Sequence, residues 1–125
     1  MPELPEVETV RKGLEKLTRN FYITKTNVLK ERSIASIGGS KNFIKNIENS
    51  YLVSWERRGK YLIGSLKTKN KSNKGFLVVH LRMTGQFKLI NKPTIPCSHT
   101  RVRFFDNAGR ELRFIDLRNF GQMWF

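Results

Sequence analysis

The sequence predicts an α+β chain, mainly β, with an N-terminal helix packed on an antiparallel β-sandwich of about eight strands. Three observations carry that expectation. Apolar residues recur at helical spacing near the start of the chain. From Phe21 onward the pattern changes to short β-branched and aromatic runs, divided by Gly, Asn and Pro. Nothing in the 125 residues repeats or reads as a linker, so residues 1–125 form one domain with a core of its own.

Leu4, Val7, Val10, Leu14 and Leu17 step by three and four, which defines an amphipathic helix over roughly residues 3–17. Glu8, Arg11, Lys12, Glu15 and Lys16 form its solvated side, and Pro5 suits a first turn, where a missing N–H costs nothing. Phe21 to Leu29 reads as a strand. Gly38-Gly39 then breaks the chain, and Lys41 to Ile47 forms a short helix on Phe43, Ile44 and Ile47. Tyr51, Val53 and Trp55 alternate as a strand does, Arg57-Arg58-Gly59-Lys60 interrupts, and Tyr61 to Leu66 continues as the next strand. Lys67 to Lys74 has four lysines and no apolar anchor, so it is expected to be a mobile hairpin loop. Phe76 to Leu81 is a buried strand and Gln86 to Ile90 another. Asn91 to Ser98, with Pro93 and Pro96, is a loop. Arg101 to Phe105 and Glu111 to Ile115 flank the turn Asp106-Asn107-Ala108-Gly109.

Charge narrows the function. The chain has 24 Lys and Arg against 10 Asp and Glu, a formal net charge of +14, which favours a polyanion: nucleic acid first, an anionic membrane surface second. No apolar run approaches the roughly 20 residues of a spanning helix. The acidic N-terminus is unlike a signal peptide, and a cytoplasmic protein is expected. Cys97, the single cysteine, has no partner for a disulfide and cannot build a multi-cysteine metal site. It reads as a spectator thiol.

Chemistry first appears in Met1-Pro2-Glu3-Leu4-Pro5-Glu6. Removal of Met1 turns the Pro2 nitrogen into a free secondary amine, and an α-amino group is partly unprotonated near neutral pH. Such an amine can attack an electrophilic sugar carbon and form an iminium, with Glu3 and Glu6 beside it to move protons. The alternative is that Pro, Glu and Glu merely open a helix, whose positive end suits acids. Four basic clusters sit at strand ends or turns: Arg57-Arg58-Gly59-Lys60, His80-Leu81-Arg82, His99-Thr100-Arg101 and Arg118-Asn119. Together they suggest a phosphate-binding face. Lys60 follows a glycine that allows a tight turn, and either points into a cleft or is an ordinary surface lysine. Met83, at a turn after a buried strand, is either core or an apolar wedge that enters a base stack. Arg118 and Phe120 form a second candidate wedge; the alternative buries Phe120 and pairs Arg118 with Asp116.

PELPEVET at the N-terminus, RRGKYL around Lys60, HLRMTG around Met83 and DLRNFG around Phe120 span nearly the whole chain. Their order and approximate spacing resemble those of bacterial formamidopyrimidine-DNA glycosylases. The resemblance implies the catalytic domain of a bifunctional base-excision repair enzyme, a monomer acting on damaged double-stranded DNA. Pro2 would attack C1′ of a flipped oxidised purine nucleotide, and β- and δ-elimination would nick the strand. Glu3 would be the proton donor and acid/base, Glu6 would position groups near the nucleophile, and Lys60 would bind phosphate and assist at the lesion. Met83, Arg118 and Phe120 would fill the gap left by the flipped base, with His80, His99 and Arg101 on the DNA-binding face. Leu4 separates the chain from the similar endonuclease VIII branch, which usually has glycine there and prefers oxidised pyrimidines. A noncatalytic basic nucleic-acid-binding domain is the third reading. Three departures stand out. Asn119 replaces a second arginine, and His99-Thr100-Arg101 stands where His-x-His is frequent. The third is that the helix–two-turns–helix module and four-cysteine zinc finger, where the family's structural zinc sits, are not in these residues. No cofactor is expected within this chain.

Overall fold

The computed structural model describes residues 3–125, so the expectations for Pro2 and for removal of Met1 lie outside the described residues. Helix α1 spans Leu4–Leu17, with Pro5 in its first turn as the sequence requires. Strand β1 (Phe21–Val28) follows, then a one-turn 3-10 helix (Glu31–Ser33) and helix α2 (Gly39–Ile47). Seven further strands complete the chain: β2 (Ser50–Arg58), β3 (Tyr61–Lys67), β4 (Asn73–His80), β5 (Gly85–Ile90), β6 (Thr100–Asp106), β7 (Glu111–Asp116) and β8 (Gln122–Trp124).

The strands form one antiparallel ladder in the order β5-β7-β6-β1-β2-β3-β4-β8. A flat sheet would hold β5 and β2 four strand spacings apart, about 19 Å. Yet Phe87 on β5 packs on Trp55 of β2 with ring centroids 6.2 Å apart, and on Phe114 of β7 at 5.2 Å. The ladder therefore folds over on itself, and its two halves face each other as a sandwich.

The fold-over happens between β1 and β2. They share only three Cα pairs, from Phe21↔Leu52 to Ile23↔Ser50, before diverging. Divergence leaves the edge of β2 beyond Leu52 without a strand neighbour, and exposed backbone groups need partners. Helix α1 supplies them. Glu15 accepts the Trp55 N–H at 2.6 Å, Arg11 donates to the Trp55 carbonyl at 3.3 Å, and the indole Nε1 donates to Thr18 Oγ1 at 3.0 Å. Of the helix's apolar stripe, Val7 and Leu14 are buried and Val10 is packed at the core's edge. Leu4 and Leu17 remain largely exposed. Helix α2 covers β1 and sends Phe43 onto Phe104 of β6, 6.5 Å away.

Two local expectations change. The hairpin loop expected at 67–74 is shorter: β3 and β4 extend through Lys67 and Asn73, which are paired, so the connection shrinks to Thr68–Ser72. That turn is closed by Thr68 N–H to the Ser72 carbonyl and Lys71 N–H to the Thr68 carbonyl, both at 2.9 Å. Its composition is that of a disordered tract, but the ladder from Leu66↔Gly75 reaches into it. Strand β8 has no counterpart among the sequence-assigned strands, since three residues are too few for a period to show.

Candidate DNA-binding site

The site gathers at one end of the strands. Helix α1 runs antiparallel to β2, so that Glu8 meets Arg57 at 3.3 Å while Glu15 meets Trp55. Glu8 also holds Arg11 at 2.9 Å, and both guanidinium groups keep its carboxyl below the usual carboxylate range, Arg11 foremost. Glu3, the N-cap, lies five residues before Glu8, about 7.5 Å along the helix. Its side chain makes no capping bond, and Glu6 is exposed in the first turn. The start of the helix thus opens beside the β2–β3 turn.

That turn consists of Gly59 and Lys60 between the paired residues Arg58 and Tyr61. Gly59 has φ +58, which a two-residue hairpin with glycine in first place uses. Arg57 donates to the Gly59 carbonyl at 2.9 Å and stiffens the turn, while Lys60 is half-buried. Across the ladder, Tyr61 pairs with His80, and their rings meet edge-on at 4.8 Å. His80 is buried. Its Nδ1 accepts the Arg82 N–H at 3.0 Å, so the neutral ring carries its hydrogen on Nε2. Burial, then the charges of Arg82 and Lys60, push its pKa below the ordinary histidine value.

After His80 the chain makes a turn, Leu81–Thr84, closed by the Gly85 N–H on the Leu81 carbonyl at 2.9 Å. Met83 is 47% exposed at its tip, which removes the core reading for this residue. A second loop, Leu117–Phe120, presents Leu117 at 61% and Phe120 at 39% exposure. Phe120 is not core either. The Arg118 guanidinium lies over its ring at 5.6 Å, and Arg32, from the 3-10 turn, lies over it at 5.2 Å. Arg118 does not pair with Asp116, whose carboxylate accepts from Thr84 Oγ1 and the Gly121 N–H. The end of the sandwich therefore displays apolar tips flanked by guanidinium groups.

The remaining expected residues divide. His99 is half-buried beside this end and its carbonyl accepts the Asp116 N–H at 3.0 Å. Arg101 is buried and donates its Nε to the Asp116 carbonyl at 2.9 Å, which makes it a brace for the second loop rather than part of the exposed rim. Asn119 has φ +59, a left-handed conformation that asparagine tolerates better than most residues. The structure adds Arg32, Arg82, Thr84 and Asp116 to the site. Arg82 donates to Gln122 Oε1 at 2.8 Å, tying the first loop to β8. Thr84 and Asp116 sit inside motifs quoted from the sequence, but their bonds depend on a register that spacing does not reveal. Among the described residues no three His, Cys, Asp or Glu side chains come together as a metal site.

The family model described as formamidopyrimidine-DNA glycosylase N-terminal domain matches residues 1–123. The chain belongs to this family. A formamidopyrimidine-DNA glycosylase of Prochlorococcus marinus (strain NATL2A) is 77% identical over 124 residues, covering 99% of this chain and 44% of that protein. Among solved structures, the complex of wild-type Lactococcus lactis Fpg with DNA containing N7-benzyl-Fapy-dG is 31% identical with a TM-score of 0.85. It is matched over 98% of this chain and 43% of its own. The same Lactococcus lactis protein in complex with DNA containing an oxidised pyrimidine gives the same identity and TM-score. The chain thus spans less than half the length of these family members. Family membership agrees with the sandwich and its helix, and no helix of the described residues is long and apolar enough to cross a membrane.

Proposed function

We propose that the protein is a bifunctional base-excision repair enzyme, a DNA glycosylase and AP lyase for oxidised purines such as 8-oxoguanine and formamidopyrimidines. One observation carries the reading. The helix start, the Lys60 turn and two loops with exposed apolar tips converge on one end of a chain of net charge +14. Duplex DNA enters against this end as the partner, the protein acting as a monomer in the bacterial cytoplasm.

In this mechanism the Pro2 nitrogen, freed by loss of Met1, gives its electron pair to C1′ of the flipped nucleotide. The C1′–base bond breaks, and the base leaves with that bond's own electron pair and a proton. The nitrogen then loses its proton, and its pair opens the C1′–O4′ bond as Glu3 protonates O4′, which leaves an iminium. Glu6 helps to position the groups around the amine. The iminium then acidifies the C2′ hydrogen; its loss expels the 3′ phosphate, and a second elimination expels the 5′ phosphate. Lys60 holds backbone phosphate and assists these departures. Met83, Phe120 and Arg118 occupy the vacated stack, and Arg118 hydrogen-bonds the orphaned base. His80 and His99 line the same face.

Borohydride trapping of the full-length protein on DNA carrying 8-oxoguanine opposite cytosine tests this. A covalent adduct is expected that Pro2→Gly abolishes, as does retention of Met1. Equal adduct from protein that keeps Met1 would overturn the proline mechanism. A second reading, an oxidised-pyrimidine enzyme, is favoured by the oxidised-pyrimidine complex of the Lactococcus lactis relative and opposed by Leu4. Comparing adduct yields on oxidised purine and pyrimidine lesions decides between them. Equal affinity for damaged and intact duplex without nicking would instead indicate a binding module.

A further inference from the structure

The loops bearing Met83 and Phe120 are distant in sequence, yet one carboxylate ties them together. Asp116 ends β7 and pairs with Gly85 at the start of β5, which brings the two loops side by side. Only 1% of Asp116 is exposed. Its Oδ1 accepts the Thr84 hydroxyl at 2.5 Å and its Oδ2 accepts the Gly121 N–H at 2.6 Å. Its own N–H donates to the His99 carbonyl and its carbonyl accepts Arg101 Nε. The Thr84 hydroxyl, with its hydrogen engaged by the carboxylate, accepts the Arg118 N–H at 2.9 Å. An ionised acceptor strengthens the first of these bonds, and a polarised hydroxyl becomes a better acceptor for the second.

We infer that Thr84 and Asp116 are positioning residues: a latch that makes the two loops one rigid probe and fixes Met83 relative to Arg118 and Phe120 before DNA arrives. The inference rests on the DNA-repair reading above. Two features separate it from ordinary loop packing. The carboxylate at the hub is buried while the tips of the loops it joins stay exposed, the reverse of what a core-forming contact achieves. Arg82 and Asn119, one in each loop, both hold left-handed backbone (φ 55 and 59), which asparagine tolerates but which an arginine keeps only where the surroundings impose it. A probe that must open a base stack gains from having its ordering cost met in advance.

The test uses the full-length protein and Thr84→Val, which keeps the side-chain shape and removes both bonds, with Thr84→Ser as the conservative control. Nicking rates are compared on an abasic site in duplex DNA, where an orphaned base must be accommodated, and in a single strand, where none exists. The duplex-to-single-strand ratio is expected to fall by roughly tenfold in Thr84→Val, the scale of one or two lost hydrogen bonds, and to be retained in Thr84→Ser. An unchanged ratio, or equal losses on both substrates, would overturn the latch. Amide hydrogen exchange without DNA gives an independent reading. Faster exchange in both the 82–84 and 117–120 segments supports the latch, and loosening of one segment alone, or of neither, overturns it. Absence of nicking by the unmodified protein on every substrate would instead count against the repair reading, with exchange still deciding the latch.

Discussion

At the scale of single residues, Glu111 carries an unusual burden. Arg103 on β6 and Arg113 on β7 are direct cross-strand partners, and Lys88 on β5 faces Arg113 from the other side. Three cations in a row across adjacent strands repel. Glu111 answers two of them, accepting from Arg103 Nε at 2.8 Å and Arg113 Nε at 2.5 Å, while Arg113 also reaches the Thr94 carbonyl and tethers the Pro93–Pro96 loop. Burial pulls the Glu111 carboxyl upward, but the bonds and charges of the two arginines outweigh it and hold it below the ordinary 4.5. A carboxyl lowered on folding stabilises the fold above its unfolded value, and that contribution is lost as pH falls through the folded one. Glu111→Ala is expected to cost about 3–5 kcal/mol near neutral pH, because it leaves two guanidinium groups without their counter-charge. Urea titrations at pH 7 and below pH 4.5 measure it: the gap between the two proteins should narrow in acid.

At the scale of elements, helix α1 is set by the bonds it makes to one strand. Trp55→Phe deletes the Nε1 bond to Thr18 and keeps an aromatic ring against Phe87. A loss of about 1–2 kcal/mol in thermal or urea unfolding is expected, with faster exchange concentrated along α1. Gly121→Ala should be worse than its size suggests. An added Cβ would stand 2.6 Å from the Phe114 ring and 2.8 Å from Asp116 Oδ2, so the substitution pushes on core and latch together. Most elements were legible in the sequence, because a period of 3.6 reports a buried face, as in Val7 and Leu14. In β2, by contrast, the alternation of Tyr51, Val53 and Trp55 finds the strand but not its face: the register shifts after Leu52, which buries Leu52 and Trp55 and exposes Val53. Those periods do not report which strand lies beside which. The ends of β3 and β4, hidden in lysines, are visible only once Lys67 is seen opposite Asn73. The same holds for the site. Lys60, Met83 and Phe120 stand out as residue types in telling motifs, whereas Thr84, Asp116 and Arg32 act through neighbours that come from other strands or turns.

At the scale of the whole molecule, charge is not spread at random. Lys60 immediately precedes β3 and Lys67 ends it, which separates them by about 23 Å of chain. Lys69 and Lys71 lie over the rings of Tyr22 and Tyr51 at that far end, away from the two loops. Replacing Lys67, Lys69 and Lys71 by Gln is expected to leave nicking of a short lesion duplex unchanged and to alter the salt dependence of its binding little. Lys60→Gln should lower the slope of log affinity against log salt by about one, as loss of one phosphate contact does. Fluorescence anisotropy across a salt series separates the two.

The strand order also bears on how the protein is made. Strand β1, near the start of the chain, sits mid-sheet and pairs with β6, from Ile23↔Asp106 to Val28↔Val102. The sheet cannot close around β1 until the ribosome has released the residues beyond Asp106, and such distant pairings form slowly. Helix α1 docks on β2 and β3, which are complete by Lys67, and on β5, so its seat is finished only when the far half of the sheet folds over. For most of its synthesis the chain therefore lacks part of the surface on which its first helix finally packs. The strand order thus makes the first helix to be synthesised one of the last elements to be fully seated.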